Sequence, residues 1–245
     1  MTEPLLTRDS GAIRYLTLNR PDKRNALDDA LTRALAAALR AAEEDPGVAV
    51  VVLAGAGRAF CAGADLGDRG GAGEAPRPAP DARAMARRLD HTVRFYGTIQ
   101  RMDTPVIAAV QGYALGGGAN LAVSCDLVVA ADDARFGYPE VQLGMAAAGV
   151  APALVHQIGR KAAFELLTLC EYIDAQRALA IGMVNRVVPA AELEASARAL
   201  AERLAGFHPD ALRLTKQLIR RAADLTFAQA LEAGRDIGLA MQLFR

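Results

Sequence analysis

Residues 112–127 read GYALGGGANLAVSCDL, three consecutive glycines running into an apolar stretch in which Asn120 is the first polar side chain. PVIAAVQG (105–112) before them and DLVVAA (126–131) after them have the composition of strands, and residues 119–124 read as helix. Strand, glycine loop, helix and strand in that order make an α/β fold the expectation. A glycine triplet in such a place means that backbone comes very close to something.

The pattern extends outward in both directions. AIRYLTLNRP (12–21) alternates and is rich in strand formers. Asp28 or Asp29 is placed to cap a helix carrying Leu31, Leu35 and Leu39, which ends near Asp45-Pro46-Gly47. VAVVVLAG (48–55) is a continuous β-branched run of the kind buried on both faces, and it opens into the small-residue loop GAGRAFCAGAD. Residues 67–85, rich in Gly, Pro and Ala, read as a mobile surface loop or lid, followed by a helix over 83–101. ARFGYPEVQLG (134–144) reads as strand and loop. From 150 onward the pattern is mostly helical, with one more strand at MVNRVV (183–188). No internal repeat stands out.

Composition narrows the function. The 245 residues are 52% hydrophobic, enough for a substantial core, and 28 basic against 28 acidic residues give no net charge to draw nucleic acid or a membrane surface. No apolar stretch reaches ~18 residues without a charge or breaker, and MTEPLLTRDSG has no signal-peptide pattern. Cys61, Cys125 and Cys170 are odd in number, far apart and in apolar company, as in a reduced cytoplasmic protein. His91, His156 and His208 fall in separate helical patterns without metal-ligand spacing, so no metal and no cofactor is expected. None of Ser10, Ser124 and Ser196 sits in a nucleophile elbow. GAGRAFCAG (55–63) lacks the third glycine at dinucleotide spacing, which leaves a dinucleotide fold only as an alternative, and no Lys-Ser/Thr pair follows LGGGAN.

What remains is two glycine-containing, strand-terminal loops, AFCAGADL (59–66) and ALGGGAN (114–120), with a carboxylate downstream in FGYPE. Loops without large side chains leave backbone N–H groups free to point at a ligand, and two such donors on one oxygen form an oxyanion hole. For one loop alone, close packing of a helix on a sheet explains the glycines equally well.

With NRPDKRNAL (19–27), GAGRAFCAGADL (55–66), GYALGGGANLAVSCDL, ARFGYPEVQLG and IDAQRALAIGMVNRVVP (173–189) in this order, nearly the whole chain resembles the enoyl-CoA hydratase/isomerase (crotonase) superfamily. The resemblance implies a crotonase-like spiral of ββα repeats over 1–189 and a helical C-terminal trimerisation region over 190–245. It implies that the Ala64 and Gly117 amides hold the thioester carbonyl, at ~3 kcal/mol of transition-state stabilisation each. It implies that Glu140 exchanges protons with substrate or water, and that Lys23, Arg24, Ala26, Ala62, Ala64, Asp65 and Leu66 meet the coenzyme A portion. An acyl-CoA thioester is then the partner, and a homotrimer or dimer of trimers the assembly.

The chain also departs from that family. Asn120 stands where standard hydratases carry a second glutamate, and an amide cannot accept a proton. That departure bears on hydration through two glutamates. Addition of water to a 2-enoyl-CoA through a thioester enolate is the activity the resemblance implies; a double-bond isomerase working through Glu140 alone, or a catalytically silent acyl-CoA-binding homologue, are the alternatives. GMAAAGVAPAL (144–154) lacks the Pro-Gly-x-Gly-Gly run of short-chain hydratases, Gly67 replaces a frequent cation, and the chain stops at MQLFR where relatives continue into a basic tail. A buried Glu140 facing an acyl pocket is expected to have a raised pKa.

Overall fold

The computed structural model describes residues 3–65, 67 and 81–243, so Leu66 and most of the loop expected over 67–85 lie outside the described residues. β1 (Leu5–Ser10) turns at Gly11 into β2 (Ile13–Leu18). α1 (Asp29–Glu44) begins where the Asp28 carboxylate accepts the Leu31 N–H at 2.8 Å. β3 (Val50–Gly55) leads to β4 (Ala59–Cys61), and α2 spans Ala82–Arg101. β5 (Val106–Val110), β6 (Tyr113–Leu115) and α3 (Gly117–Val123) follow. Next come β7 (Leu127–Ala131), β8 (Arg135–Gly137) and α4 (Ala151–Leu169). β9 (Ile173–Asp174), α5 (Ala175–Ala180) and β10 (Arg186–Val188) precede three final helices, α6 (Leu193–Ala205), α7 (Pro209–Ala222) and α8 (Phe227–Leu243).

The strands form two sheets, ordered β1-β2-β3-β5-β7-β10 and β4-β6-β8-β9. Each of the pairs β3/β4, β5/β6 and β7/β8 places its first strand in the large sheet and its second in the small one, and a helix then follows. This is the crotonase-like spiral of ββα repeats. Only the backbone path repeats, not the side chains, so the sequence shows no self-similarity. Every pairing is parallel except β1 with β2 and β8 with β9.

β3 shows why its run is unbroken. Val51 and Leu53 enter one core with Leu31, Leu35, Phe60 and Phe136. Val50 and Val52 enter a second, with Ile107, Val129 and the α6 residues Leu193, Ala197 and Leu200. A strand buried on both faces has no polar alternation to show. α6 therefore closes the outer face of the large sheet. α7 is tied on by polar bonds instead: Lys216 reaches the Asp126 carboxylate at 2.7 Å and the Thr104 carbonyl at 2.9 Å, and Arg220 reaches Asp103 at 3.2 Å. Leu212, Leu214 and Leu218 are half-buried there and Ile219 is exposed.

Several expectations shift. The loop 55–65 contains β4, and β6 and β9 were not expected, because two- or three-residue strands carry no periodicity of their own and form only by pairing. The six-residue β1 was not expected either, its LLTRDS being largely exposed and without an apolar alternation. The strand expected over 183–188 shortens to β10. The helix expected over 119–124 begins at Gly117: glycine is a poor helix former, but Gly118 packs where no Cβ fits. His208 precedes Pro209 as the cap residue of α7 and is not inside a helix. No helix among the described residues is long and apolar enough to cross a membrane.

Candidate active site

The first loop of the site is held by Asn25, a residue the sequence reading did not single out. It is fully buried with φ +56°, a conformation asparagine tolerates better than most residues. Its Nδ2 donates to the carbonyls of Ala56, Ala59 and Phe60 at 2.9, 2.8 and 3.2 Å, and its Oδ1 accepts the Arg20 N–H at 2.8 Å. Asn25 thus pins residues 20–27 to β4. Asn25→Ala would leave two buried carbonyls and one half-buried one without that donor, and thermal or urea unfolding is expected to show a loss of about 3 kcal/mol. An unchanged midpoint would overturn this role.

Beyond Asn25 the two chain segments zip together. Ala62 N–H donates to Arg24 O at 2.9 Å, Leu27 N–H to Gly63 O at 2.7 Å and Asp65 N–H to Leu27 O at 3.0 Å. In this short parallel bridge between Leu27 and Ala64, the bonds come from the residues on either side of Ala64, so the Ala64 N–H faces away from the ladder. Arg20 reinforces the junction, pairing with Asp28 at 3.1 Å and Asp65 at 2.9 Å and donating to Ala26 O. Burial pushes the Asp65 carboxyl up, but Arg20, the Gly67 N–H and the nearby charge of Lys23 outweigh it and hold it below its ordinary value.

The glycine triplet meets this loop directly. Gly63, at φ +89°, lies so close that a Cβ on it would stand 2.6 Å from Leu115 O and 3.4 Å from Gly117 N. Gly118 packs on Cys61, where a Cβ would collide with the Cys61 carbonyl oxygen and lie 2.7 Å from its Cβ. Gly117 opens α3, so its N–H has no intrahelical partner. Ala64 and Gly117 therefore stand side by side, each with an amide outside the regular hydrogen-bond ladders. Cys61 itself is sealed off: burial pushes its thiol up to about 12, a Gly63 backbone bond notwithstanding.

The carboxylate arrives from β8. Gly116 N–H donates to Gly137 O at 2.7 Å, which fixes the segment FGYPE against the triplet. Glu140 is half-buried, with Oε1 2.8 Å from where a Cβ on Gly116 would be. Gly116, at φ +50°, leaves that space open. Tyr138 is fully buried beside it; burial, then the charges of Glu140 and Tyr96, push its phenol up, so it stays neutral. Asn120 is fully buried as well, with Nδ2 at 3.5 Å from Gly149 O and no hydrogen-bond partner on Oδ1 among the described residues.

Lys23 and Arg24 are exposed at the rim, Arg24 with its guanidinium 5.7 Å from the centre of the Tyr113 ring. The structure thus gathers Lys23, Arg24, Ala26, Ala62, Ala64 and Asp65 at one edge and Gly117, Asn120 and Glu140 behind them. Beside Ala64 and Asp65 a cavity of about 70 Å³ is lined by Leu27, His91, Thr92, Phe95 and Tyr96, among others. It is smaller than the several hundred Å³ of an ordinary ligand pocket. A larger groove of about 830 Å³ lies on α4, lined by Val155, Phe164 and Leu169 with Arg160, Lys161 and Glu165, far from both loops in the chain. No group of three or more His, Cys, Asp or Glu side chains among the described residues is placed to hold a metal ion.

Residues 8–242 match the family model described as enoyl-CoA hydratase/isomerase. The chain is 38% identical to the 2,3-dehydroadipyl-CoA hydratase of Escherichia coli K12, over 96% of this chain and 86% of that one. It is 34% identical to the short-chain-enoyl-CoA hydratase of Clostridium acetobutylicum, over 94% and 86%. Its fold matches a crystal structure of an enoyl-CoA hydratase from Mycobacterium smegmatis with a TM-score of 0.89 at 34% identity, covering 97% and 90% of the two chains.

Proposed function

Because the chain belongs to the enoyl-CoA hydratase/isomerase family, we propose that its two-loop site adds water to a 2-enoyl-CoA, with Glu140 moving both protons. The observation that carries this reading is the placement of Glu140 on Gly116, next to the two outward-facing amides. The thioester oxygen sits between the Ala64 and Gly117 N–H groups. As water attacks C3, its proton passes to the Glu140 carboxylate and the π electrons move onto the thioester oxygen as an enolate. The protonated Glu140 then delivers a proton to C2, giving a 3-hydroxyacyl-CoA. Fixed donors aimed at that oxygen act most strongly when the charge develops. Asn120 holds water by hydrogen bonds but takes no proton. Lys23 and Arg24, exposed beside the site, suit the phosphates of coenzyme A.

Asn120 also favours a second reading, a shift of the double bond between C2=C3 and C3=C4, in which one group carries a proton between C2 and C4. Assaying 2-enoyl and 3-enoyl thioesters side by side, with crotonyl-CoA and a carboxylate-ended enoyl-CoA among them, separates the two. Formation of 3-hydroxyacyl-CoA is expected; binding of esters without turnover of any of them would overturn both.

The α4 groove is read as a contact between subunits of a homotrimer or a dimer of trimers. Phe164 and Leu169 are 70% and 61% exposed there, two large apolar side chains that a neighbouring subunit would cover. Light scattering is expected to give a multiple of three chains, and Phe164→Glu to lower the mass. A monomeric wild type would overturn the assembly.

A further inference from the structure

We propose that the Tyr96 hydroxyl is a third hydrogen-bond donor to the thioester oxygen, acting beside the Ala64 and Gly117 amides. The inference rests on the proposed function and adds a side chain to it. Tyr96 projects from α2 across the site. A Cβ on Gly117 would collide with its hydroxyl oxygen and lie 3.2 Å from its Cζ, so the phenol end sits directly on the middle glycine of the triplet. Tyr96 also lines the same cavity as Ala64. It therefore stands at both residues whose amides hold the oxygen.

The ring is braced rather than loose. Its edge lies 3.7 Å from the Cβ position of Gly149, and the Phe95 ring packs at 5.2 Å, tilted by 60°. Glu140 occupies the corresponding place over Gly116, one residue earlier. Carboxylate and phenol thus stand over consecutive residues at the start of α3, the one placed for the carbon skeleton and the other for the oxygen. A phenol O–H donates one hydrogen bond, and it binds a charged enolate oxygen more strongly than a neutral thioester oxygen. Such a bond accelerates turnover and adds little to ground-state binding. A tyrosine that only packs would gain nothing from its oxygen.

Tyr96→Phe in the full chain removes the oxygen and keeps the ring. Two readouts apply: steady-state kinetics on the best enoyl-CoA, and the red shift that bound cinnamoyl-CoA undergoes when donors polarise its carbonyl. The variant is expected to lose about 10- to 100-fold in kcat with KM little changed, and to show a smaller red shift, while its melting curve stays close to wild type. Unchanged kcat with an unchanged shift overturns the role, as does a rise in KM alone. If Tyr96→Phe unfolds early, 3-fluorotyrosine at position 96 keeps the shape with a stronger donor; a larger shift is then expected, and an unchanged one overturns the role. A wild type that binds cinnamoyl-CoA with no red shift overturns the oxyanion reading of the whole site. A wild-type shift that Tyr96→Phe retains in full overturns only Tyr96.

Discussion

Glu140→Gln is expected to lower enoyl-CoA turnover by about 10⁴-fold, the upper end of what one general acid–base group contributes. The upper end applies because Asn120, fully buried in α3, has no proton-accepting form and cannot take over the proton. Glutamine keeps the shape and leaves the Gly116 contact intact, so the variant should fold and bind thioester with KM near that of wild type. The measurement is kcat for the enoyl-CoA that the wild type turns over, with the melting curve as control. A variant retaining a tenth or more of wild-type turnover would remove Glu140 from the chemistry. Asn120→Glu is the informative companion: a restored second carboxylate should return part of the lost rate to Glu140→Gln.

Gly118→Ala is expected to damage both stability and rate without touching a substrate group. The added Cβ meets backbone, colliding with the Cys61 carbonyl oxygen and standing 2.8 Å from its carbon, so neither partner can rotate away. α3 must lift from β4, which costs about 1–3 kcal/mol as overpacking. The same lift separates Gly117 from Ala64, and a displacement near 1 Å in a catalytic constellation costs about 100-fold in rate. Urea unfolding and kcat measured on one preparation check both halves. Wild-type kcat in a destabilised variant would show that the two amides need no such close setting.

The legible part of the molecule was of two kinds. Long strands such as β3 declared themselves through unbroken β-branched runs, and α1 through Asp28 and its leucine spacing. Small residues at strand ends marked both loops, because a missing Cβ is written in the sequence wherever backbone must come close. The second sheet was legible only at β8, read from ARFGYPEVQLG; β4 and β6, three residues each, and β9, two, take their form from their neighbours. Asn25 could have been noticed as a lone amide between Arg24 and Ala26 in NRPDKRNAL, yet nothing local indicates its three carbonyl partners.

Ala64, Gly117 and Glu140 were reachable as candidates from the chain alone, because the order and spacing of their motifs resemble one family throughout and the roles proposed for them need only backbone or one carboxylate. What only the tertiary structure decided is how those pieces face one another. Asn25 bonds to carbonyls 31 to 35 residues away, and Tyr96 reaches Gly117 from a different helix. A helix presents side chains in every direction, so sequence periodicity does not say which of them a neighbouring loop will meet. Packing of α2 against the triplet turns Tyr96 from one of several aromatic residues into the one whose hydroxyl lies on Gly117.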